Sequence, residues 1–181
     1  MRSVLIICMG NELVCDDGIG IRVGRVLSAL ELPPQVRIEL RPRVGMELIE
    51  SLRRDDQLVV VDAACTGRPP GSCFSVTLAS LDSTAATTTS AHAMGLAEVL
   101  HIARRVAPER LPGQVAIYCI EAGTMDRFGT ELTAPVRAAL PEAVEGVLRL
   151  VGAQDSWIQK GVELAKRRLS WDPEPIEALG G

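Results

Sequence analysis

The feature that most constrains the fold is an unbroken apolar run near the start of the chain, followed by a loop and an amphipathic helix. Residues 4–9 read Val-Leu-Ile-Ile-Cys-Met, which is typical of a strand buried on both faces. Gly10-Asn11 ends this strand, and from Ile19 the apolar residues recur with helical spacing. Similar Val- and Ile-rich runs then alternate with amphipathic stretches along the chain, a pattern that predicts α/β layers.

Composition narrows the class of protein. The chain has 181 residues, of which 47% are apolar and only 3% aromatic, so we expect one domain with a largely aliphatic core. The net charge of -4 argues against nucleic acid as a main partner. No segment is long and apolar enough to span a membrane, and we expect no signal peptide because the first strand starts at once.

The pattern predicts five strands, of which the fourth lies nearer an edge: residues 4–9, 36–40, 57–61, 72–78 and 114–120. Helices are predicted from Ile19 and over residues 45–54, 94–106 and 133–151, and residues 83–90 are predicted to form a mobile loop. We expect a single α/β domain over residues 1–152 and a helical extension and tail over residues 153–181. The amphipathic segment 156–169 is predicted to fold back on the domain, although Trp157 and Trp171 offer the alternative of an interface anchor.

Acidic residues follow two of the predicted strands. Asp16-Asp17 stands at the start of the first helix, and Asp62 ends the third strand. Helix capping would explain either residue of the pair, and Asp62 could begin a turn. However, parallel central strands would bring Asp17 and Asp62 to one edge of the sheet, where open α/β sheets bind ligands. We therefore predict a site at this edge.

His92 completes a possible metal-binding set. It follows the predicted mobile loop, at the start of a helix, which is not a position for core packing, although a lone histidine is often incidental. Two carboxylates and an imidazole suit a divalent transition metal, and three protein ligands leave positions open for water or substrate. Such a metal would polarise an amide carbonyl and activate water. The residues Asp17, Asp62 and His92 thus predict a metal-dependent hydrolase.

Other catalytic patterns are missing from the sequence. It contains no HExxH, P-loop or GxGxxG motif, and no recognisable Ser/His/Asp or Cys/His arrangement. The cysteines are five in number and include no CxxC pair, which fits a reducing cytoplasm. Cys8, Cys73 and Cys119 fall in predicted strands and are expected to be core residues. Cys15 and Cys65 lie close in sequence to the acidic positions. They are either soft metal ligands or residues without a role in the site.

Four motifs in order over residues 3–150 resemble one known family, the hydrogenase maturation endopeptidases, which process the large subunit of nickel-iron hydrogenases. The motifs are Gly10-Asn-Glu-Leu-Val-Cys-Asp-Asp-Gly-Ile-Gly20, Gly45-Met-Glu-Leu48, Leu58-Val-Val-Val-Asp-Ala63 and His92-Ala-Met-Gly-Leu-Ala-Glu-Val-Leu100.

The resemblance implies a three-layer fold, with a twisted, mainly parallel five-stranded sheet covered by helices on both faces. It implies that the protein removes a short C-terminal peptide from a hydrogenase large-subunit precursor after nickel insertion. Asp17, Asp62 and His92 match the family's metal-contacting residues. The metal is expected to be the substrate's own nickel rather than a permanently bound cofactor. We expect a cytoplasmic protein, a monomer or weak homo-oligomer, without nucleic acid or membrane insertion.

One stretch departs from the family pattern. After the second strand the family commonly has an Asp-Gly-Gly-Thr-like sequence linked to substrate recognition, whereas this chain has Leu40-Arg-Pro-Arg43. This departure motivates an alternative function, a metal- or precursor-binding chaperone on the same fold without proteolysis. A third interpretation, a nucleotide-binding domain, depends only on the strand-loop-helix opening. Whether Glu121, at the end of the last strand, lines the same cleft is left open by the sequence.

Overall fold

A computed structural model describes residues 3–77 and 91–169. Within them the chain forms a five-stranded sheet with the order β2-β1-β3-β5-β4, in which only the edge strand β4 is antiparallel. The strands are β1 (Ser3–Met9), β2 (Val36–Arg41), β3 (Asp56–Ala64), β4 (Cys73–Thr77) and β5 (Gln114–Glu121). The prediction of a mainly parallel sheet with β4 at an edge is confirmed.

Helices cover both faces of this sheet, as predicted. They are α1 (Ile19–Ser28), α2 (Leu48–Ser51), α3 (Ala91–Val106), α4 (Ala134–Ala138), α5 (Leu140–Leu150) and α6 (Asp155–Arg168), with 3-10 turns at Cys15–Gly18 and Pro108–Arg110. In the described part of the chain, no helix has the length and apolar character that crossing a membrane requires. The predicted loop 83–90 and the tail with Trp171 lie outside the described residues.

Burial on both faces explains the continuous apolar run of β1. Alternate side chains point to opposite faces of a strand, so such a strand must be apolar at every position. Val4, Ile6 and Cys8 pack with α1, α4, α5 and α6, whereas Leu5, Ile7 and Met9 pack with α2 and α3. The crossovers through α1 and α2 thus lie on opposite faces, and the direction of the sheet order reverses between β1 and β3.

Gly20 allows α1 to approach the ends of the two central strands. A Cβ atom at this position would lie 2.1 Å from the carbonyl oxygen of Met9 and 2.8 Å from that of Val61. Only a residue without a side chain fits at these distances. The first turn of α1, and the Cys15–Gly18 turn before it, are therefore held at the carboxyl ends of β1 and β3.

Two predicted helices are divided or shortened in the structure. The predicted helix 133–151 is divided into α4 and α5, because Pro141 has no N–H and its ring conflicts with the carbonyl four residues earlier in a continuous helix. The predicted helix 45–54 is a single turn, α2, because Leu52 is already extended and the chain turns at Arg53 to enter β3.

Helix α6 packs against the domain, as predicted for the amphipathic segment 156–169. Its side chains Ile158 and Ala165 belong to the same buried cluster as α1 and α5. A Cβ atom on Gly161 would lie 2.8 Å from Cδ1 of Leu148 and 3.0 Å from Cγ1 of Val144. The glycine therefore allows the two helices to pack closely.

Candidate active site

Four of the five buried acidic side chains in the described residues lie at the carboxyl edge of the sheet: Asp16, Asp17, Asp62 and Glu121. The fifth, Asp56, begins β3 at the opposite edge, where it pairs with Arg37 and accepts a hydrogen bond from Ser3. Since the sheet order reverses between β1 and β3, this is the edge where open α/β sheets form their ligand crevice.

Asp16 is an anchor of the loop that follows β5. Its Oδ2 accepts hydrogen bonds from the backbone N–H of Gly123 (2.8 Å) and Thr124 (3.0 Å) and from the Thr133 hydroxyl (2.8 Å). Its Oδ1 accepts the backbone N–H of Thr133 at 2.6 Å. The side chain is fully buried and does not cap α1. Asp17 and not Asp16 was the residue predicted for the site from the sequence, and these contacts assign a structural role to Asp16.

Asp17 lies in the same turn and is 5% exposed. Its Oδ2 accepts the backbone N–H of Asn11 at 2.7 Å, which fixes the carboxylate against the end of β1. Gly10 makes this approach possible: its φ is +137°, and a Cβ atom there would lie 1.9 Å from the carbonyl oxygen of Asp17. The glycine, the asparagine and the carboxylate therefore form one compact unit at the carboxyl edge.

Asp62 lies within β3 and does not end it, so the predicted strand end was wrong. The strand continues because residues 62–64 pair with residues 119–121 of β5. The Asp62 side chain is 1% exposed, and its Oδ1 accepts the N–H of Ala63 at 3.0 Å. The preceding residue, Val61, is the one whose carbonyl meets Gly20. Asp62 is thus one residue from the point where β3 meets the start of α1.

Glu121 holds the loop after β3. Its Oε1 accepts the backbone N–H groups of Thr66 (2.6 Å), Gly67 (2.8 Å) and Arg68 (3.2 Å). Its Oε2 accepts the Thr66 hydroxyl at 2.7 Å. This buried carboxylate thus belongs to the same edge as the aspartates, and its contacts are those of a loop anchor. The signal in the sequence was its position at the end of β5.

His92 is the second residue of α3, which begins three residues earlier than predicted. Its side chain is not among those that the structure describes. The chain enters β5 at the amino edge of the sheet after α3, so the first turn of α3 faces the carboxyl edge. In agreement, a Cβ atom on Gly95 would lie 3.8 Å from the Val44 carbonyl oxygen, just beyond the end of β2.

Two thiols at this edge, those of Cys65 and Cys119, are not activated. Burial, followed by the negative charges of Glu121, Asp17 and Asp16, raises the pKa of the exposed Cys65. Burial, followed by the charges of Asp62 and Glu121, raises the pKa of Cys119 to about 12. A thiol with a raised pKa stays protonated and is a poor nucleophile. These two cysteines therefore do not support thiol-protease chemistry, because burial and, after it, the neighbouring carboxylates keep their thiols protonated.

All five cysteines lie in the described residues, and all are free thiols. Cys8, Cys73 and Cys119 lie in strands, as predicted. Among the described side chains, which do not include that of His92, no three His, Cys, Asp or Glu residues are grouped closely enough to hold a metal ion.

A groove of about 500 Å³ lies at the end of β2, where this chain departs from the family sequence. It is lined by Glu39, Leu40, Arg41, Pro42, Arg43 and Glu47. Arg41 pairs with Glu39 at 2.7 Å and with Glu47 at 3.6 Å. Its charge is therefore balanced within the groove. Arg43 is exposed, and no ion pair of its guanidinium is found in the described residues.

The fold and site define an α/β protein with buried carboxylates at a topological switch point. A family model of hydrogenase maturation proteases matches residues 25–150, a range that includes Asp62 and His92 and begins after Asp17. The chain belongs to the hydrogenase maturation protease family. It is therefore a protease, and the resemblance seen in its motifs is confirmed.

Individual relatives agree. The hydrogenase expression/formation protein HupD of Rhizobium leguminosarum bv. viciae is 33% identical over 152 residues, which cover 82% of this chain and 73% of the relative. The hydrogenase 2 maturation protease of Escherichia coli is 30% identical over 152 residues, covering 80% and 88%.

Solved structures show the same fold. The hydrogenase maturating endopeptidase HybD of E. coli superimposes with a TM-score of 0.72 at 27% identity, covering 84% of this chain and 93% of the other. The [NiFe] hydrogenase maturation protease HybD of Thermococcus kodakarensis gives a TM-score of 0.68 at 28% identity, covering 83% and 99%.

Proposed function

We propose that this protein removes the C-terminal peptide from the large-subunit precursor of a nickel-iron hydrogenase after nickel has been inserted. Asp17, Asp62 and His92 contact the nickel that the precursor carries. The observation that carries the proposal is the pair of buried aspartates at the β1/β3 switch point of a chain that belongs to the maturation protease family.

The donor set fits this substrate. Two carboxylates and an imidazole suit nickel and related divalent metals, and three ligands leave room for groups that arrive with the substrate. Within the site, the N–H of Asn11 fixes one oxygen of Asp17 and burial in β3 fixes Asp62. A fixed, partly desolvated carboxylate distinguishes a nickel-loaded precursor from an empty one, because only the loaded precursor supplies a positive charge.

The chemistry is hydrolysis of one amide bond. The metal polarises the scissile carbonyl, water adds to its carbon, and the C–N bond breaks. The departing amine takes a proton and the new terminus is a carboxylate. A competing thiol route is suppressed, since burial and, after it, the acidic edge raise the pKa of Cys65 and keep its thiol protonated. The term aspartic endopeptidase applies to this enzyme only because two of the residues that hold the metal are aspartates.

Intact-mass analysis of a nickel-loaded precursor, incubated with the protein, tests the proposal. A nickel-free precursor runs in parallel. Loss of a C-terminal peptide from the loaded sample alone is expected. Asp17→Asn and Asp62→Asn should each abolish this loss. Asp155→Asn, an exposed aspartate at the start of α6, is the matched control and should retain it. Full activity in Asp17→Asn would refute the site.

The alternative function is a chaperone that binds the precursor without cutting it. The Leu40–Arg43 stretch motivates it, because the groove it lines differs in charge from the family pattern. Stable binding of the loaded precursor without any mass change would favour this alternative. We further propose a cytoplasmic location, supported by the five free thiols, and a monomer or weak homo-oligomer.

A further inference from the structure

Two exposed apolar side chains stand beside the carboxylate site. Phe128 is 88% exposed and Leu13 is 54% exposed. They occupy adjacent segments, because Val14 and Gly129 form a β-bridge and the N–H of Gly129 donates to the carbonyl of Leu13 at 3.0 Å. We call Leu13 and Phe128 the apolar rim.

The rim is held firmly by the residues that build the site. The N–H of Cys15 donates to the Gly129 carbonyl at 2.7 Å, and the N–H of Asp16 donates to the Thr124 carbonyl at 3.1 Å. The Asp16 carboxylate adds its four bonds to the same loop. Because Asp17 is the next residue, the rim and the candidate metal contact belong to one hydrogen-bonded unit.

Exposure of the phenyl ring is unusual for this chain. Phenylalanine occurs only twice in the sequence, and the other one, Phe74, is partly covered by the Arg68 guanidinium, which lies 3.8 Å from the ring centroid. The Phe128 ring is exposed to water on a loop that hydrogen bonds hold in place. Covering this ring with a partner's apolar surface would therefore stabilise a complex. Aromatic side chains, including phenylalanine, are enriched at protein–protein interfaces relative to the rest of the surface.

We propose that the apolar rim is the docking surface for the folded hydrogenase large-subunit precursor. The inference rests on the proposed function, and it follows from the position of the rim. A partner whose nickel contacts Asp17 comes close to Leu13 and Phe128, since these residues belong to the same hydrogen-bonded unit as Asp17. The partner surface is therefore an apolar patch next to its metal-bearing segment. The rim supplies affinity and orientation, whereas the carboxylates contact the metal.

Kinetics of precursor cleavage test this role. Phe128→Ala and Leu13→Ala should raise KM about tenfold or more, with kcat within about twofold, because the rim contributes to binding and not to the chemical step. Phe128→Leu should restore much of the affinity, since it keeps an apolar side chain. Val106→Ala is the matched control: this residue is 65% exposed at the far end of α3, and its loss should leave KM unchanged.

Binding of the precursor is measured beside cleavage, which separates this proposal from the proposed function. If wild-type protein binds without cutting, weaker binding by Phe128→Ala supports the rim while the protease role fails. If wild-type protein cuts and Phe128→Ala has an unchanged KM, the rim proposal is overturned and the protease role stands. If wild-type protein neither binds nor cuts, both are overturned. Loss of a homodimer in Phe128→Ala, with KM unchanged, would assign the rim to a second copy of the chain and overturn the proposal.

Discussion

The adjacent residues Asp16 and Asp17 should respond in opposite ways to the same substitution. Asp16 accepts four hydrogen bonds from Gly123, Thr124 and Thr133, whereas Asp17 accepts the N–H of Asn11. Replacing either by Asn removes the charge and keeps the size. We expect Asp16→Asn to lower stability strongly, and Asp17→Asn to preserve the fold while abolishing cleavage.

The magnitude follows from how many bonds an amide can replace. The amide oxygen of Asn at position 16 can take the place of Oδ2, which accepts three of the four hydrogen bonds. The NH₂ group then replaces Oδ1 and faces the N–H of Thr133, which is also a donor. A lost hydrogen bond to a charged group and a buried orphan donor together cost about 2–4 kcal/mol. Asn at position 17 keeps the bond from Asn11 through its amide oxygen. Its cost should be less than about 1 kcal/mol.

Urea denaturation followed by circular dichroism measures the difference. With an m-value of about 2 kcal/mol/M, Asp16→Asn should lower the midpoint by about 1–2 M. Asp17→Asn should shift it by less than about 0.5 M. Cleavage of nickel-loaded precursor, assayed where both variants are folded, should be lost only in Asp17→Asn. Equal midpoints for the two variants, or an inactive but stable Asp16→Asn, would refute this division of roles.

Three further results are expected. Burial and nearby carboxylates raise the pKa of Cys65, so its thiolate forms at higher pH than in an unfolded peptide. The pH midpoint of its alkylation rate should therefore lie above that of an unfolded cysteine peptide. Asp17→Asn removes one of the negative charges, and an alkylation midpoint that did not fall would contradict the acidic-edge assignment. Gly20→Ala should prevent stable folding, whereas Gly113→Ala, with open space around it, should melt close to wild type. Glu121→Ala should speed hydrogen exchange of the amides at residues 66–68 at least tenfold, and unchanged exchange would refute the anchor role.

Local pattern was enough for most of the architecture. Residues 4–9 are apolar at every position, and only a strand covered on both faces needs this, so the sheet and its helices followed from the sequence. The edge position of β4 and the cysteines in strands were also predicted. The predicted ends of strands and helices were less accurate where strand pairing or a proline changed the length of the element. Asp62 lies inside β3 because β5 extends beside it, and Pro141 divides a helix that periodicity alone would continue.

The convergence of acidic residues on one edge was likewise predictable, because parallel strands end together. The sequence did not reveal the anchoring roles of Asp16 and Glu121. Asp16 and Asp17 are chemically identical neighbours, and only the folded loop, whose donors lie more than a hundred residues away, gives Asp16 its four hydrogen bonds. Glu121 acquires its role in the same way, from N–H groups of a loop that precedes it by about fifty residues.

The sequence by itself thus determined the layers, the central strands and the edge at which the chemistry lies, because these depend on local periodicity and on apolar burial. The tertiary structure alone decided which carboxylates anchor loops and which apolar side chains remain in water at the rim. Those properties depend on hydrogen-bond donors and packing surfaces that come from distant parts of the chain. No local pattern around Asp16 or Phe128 contains that information.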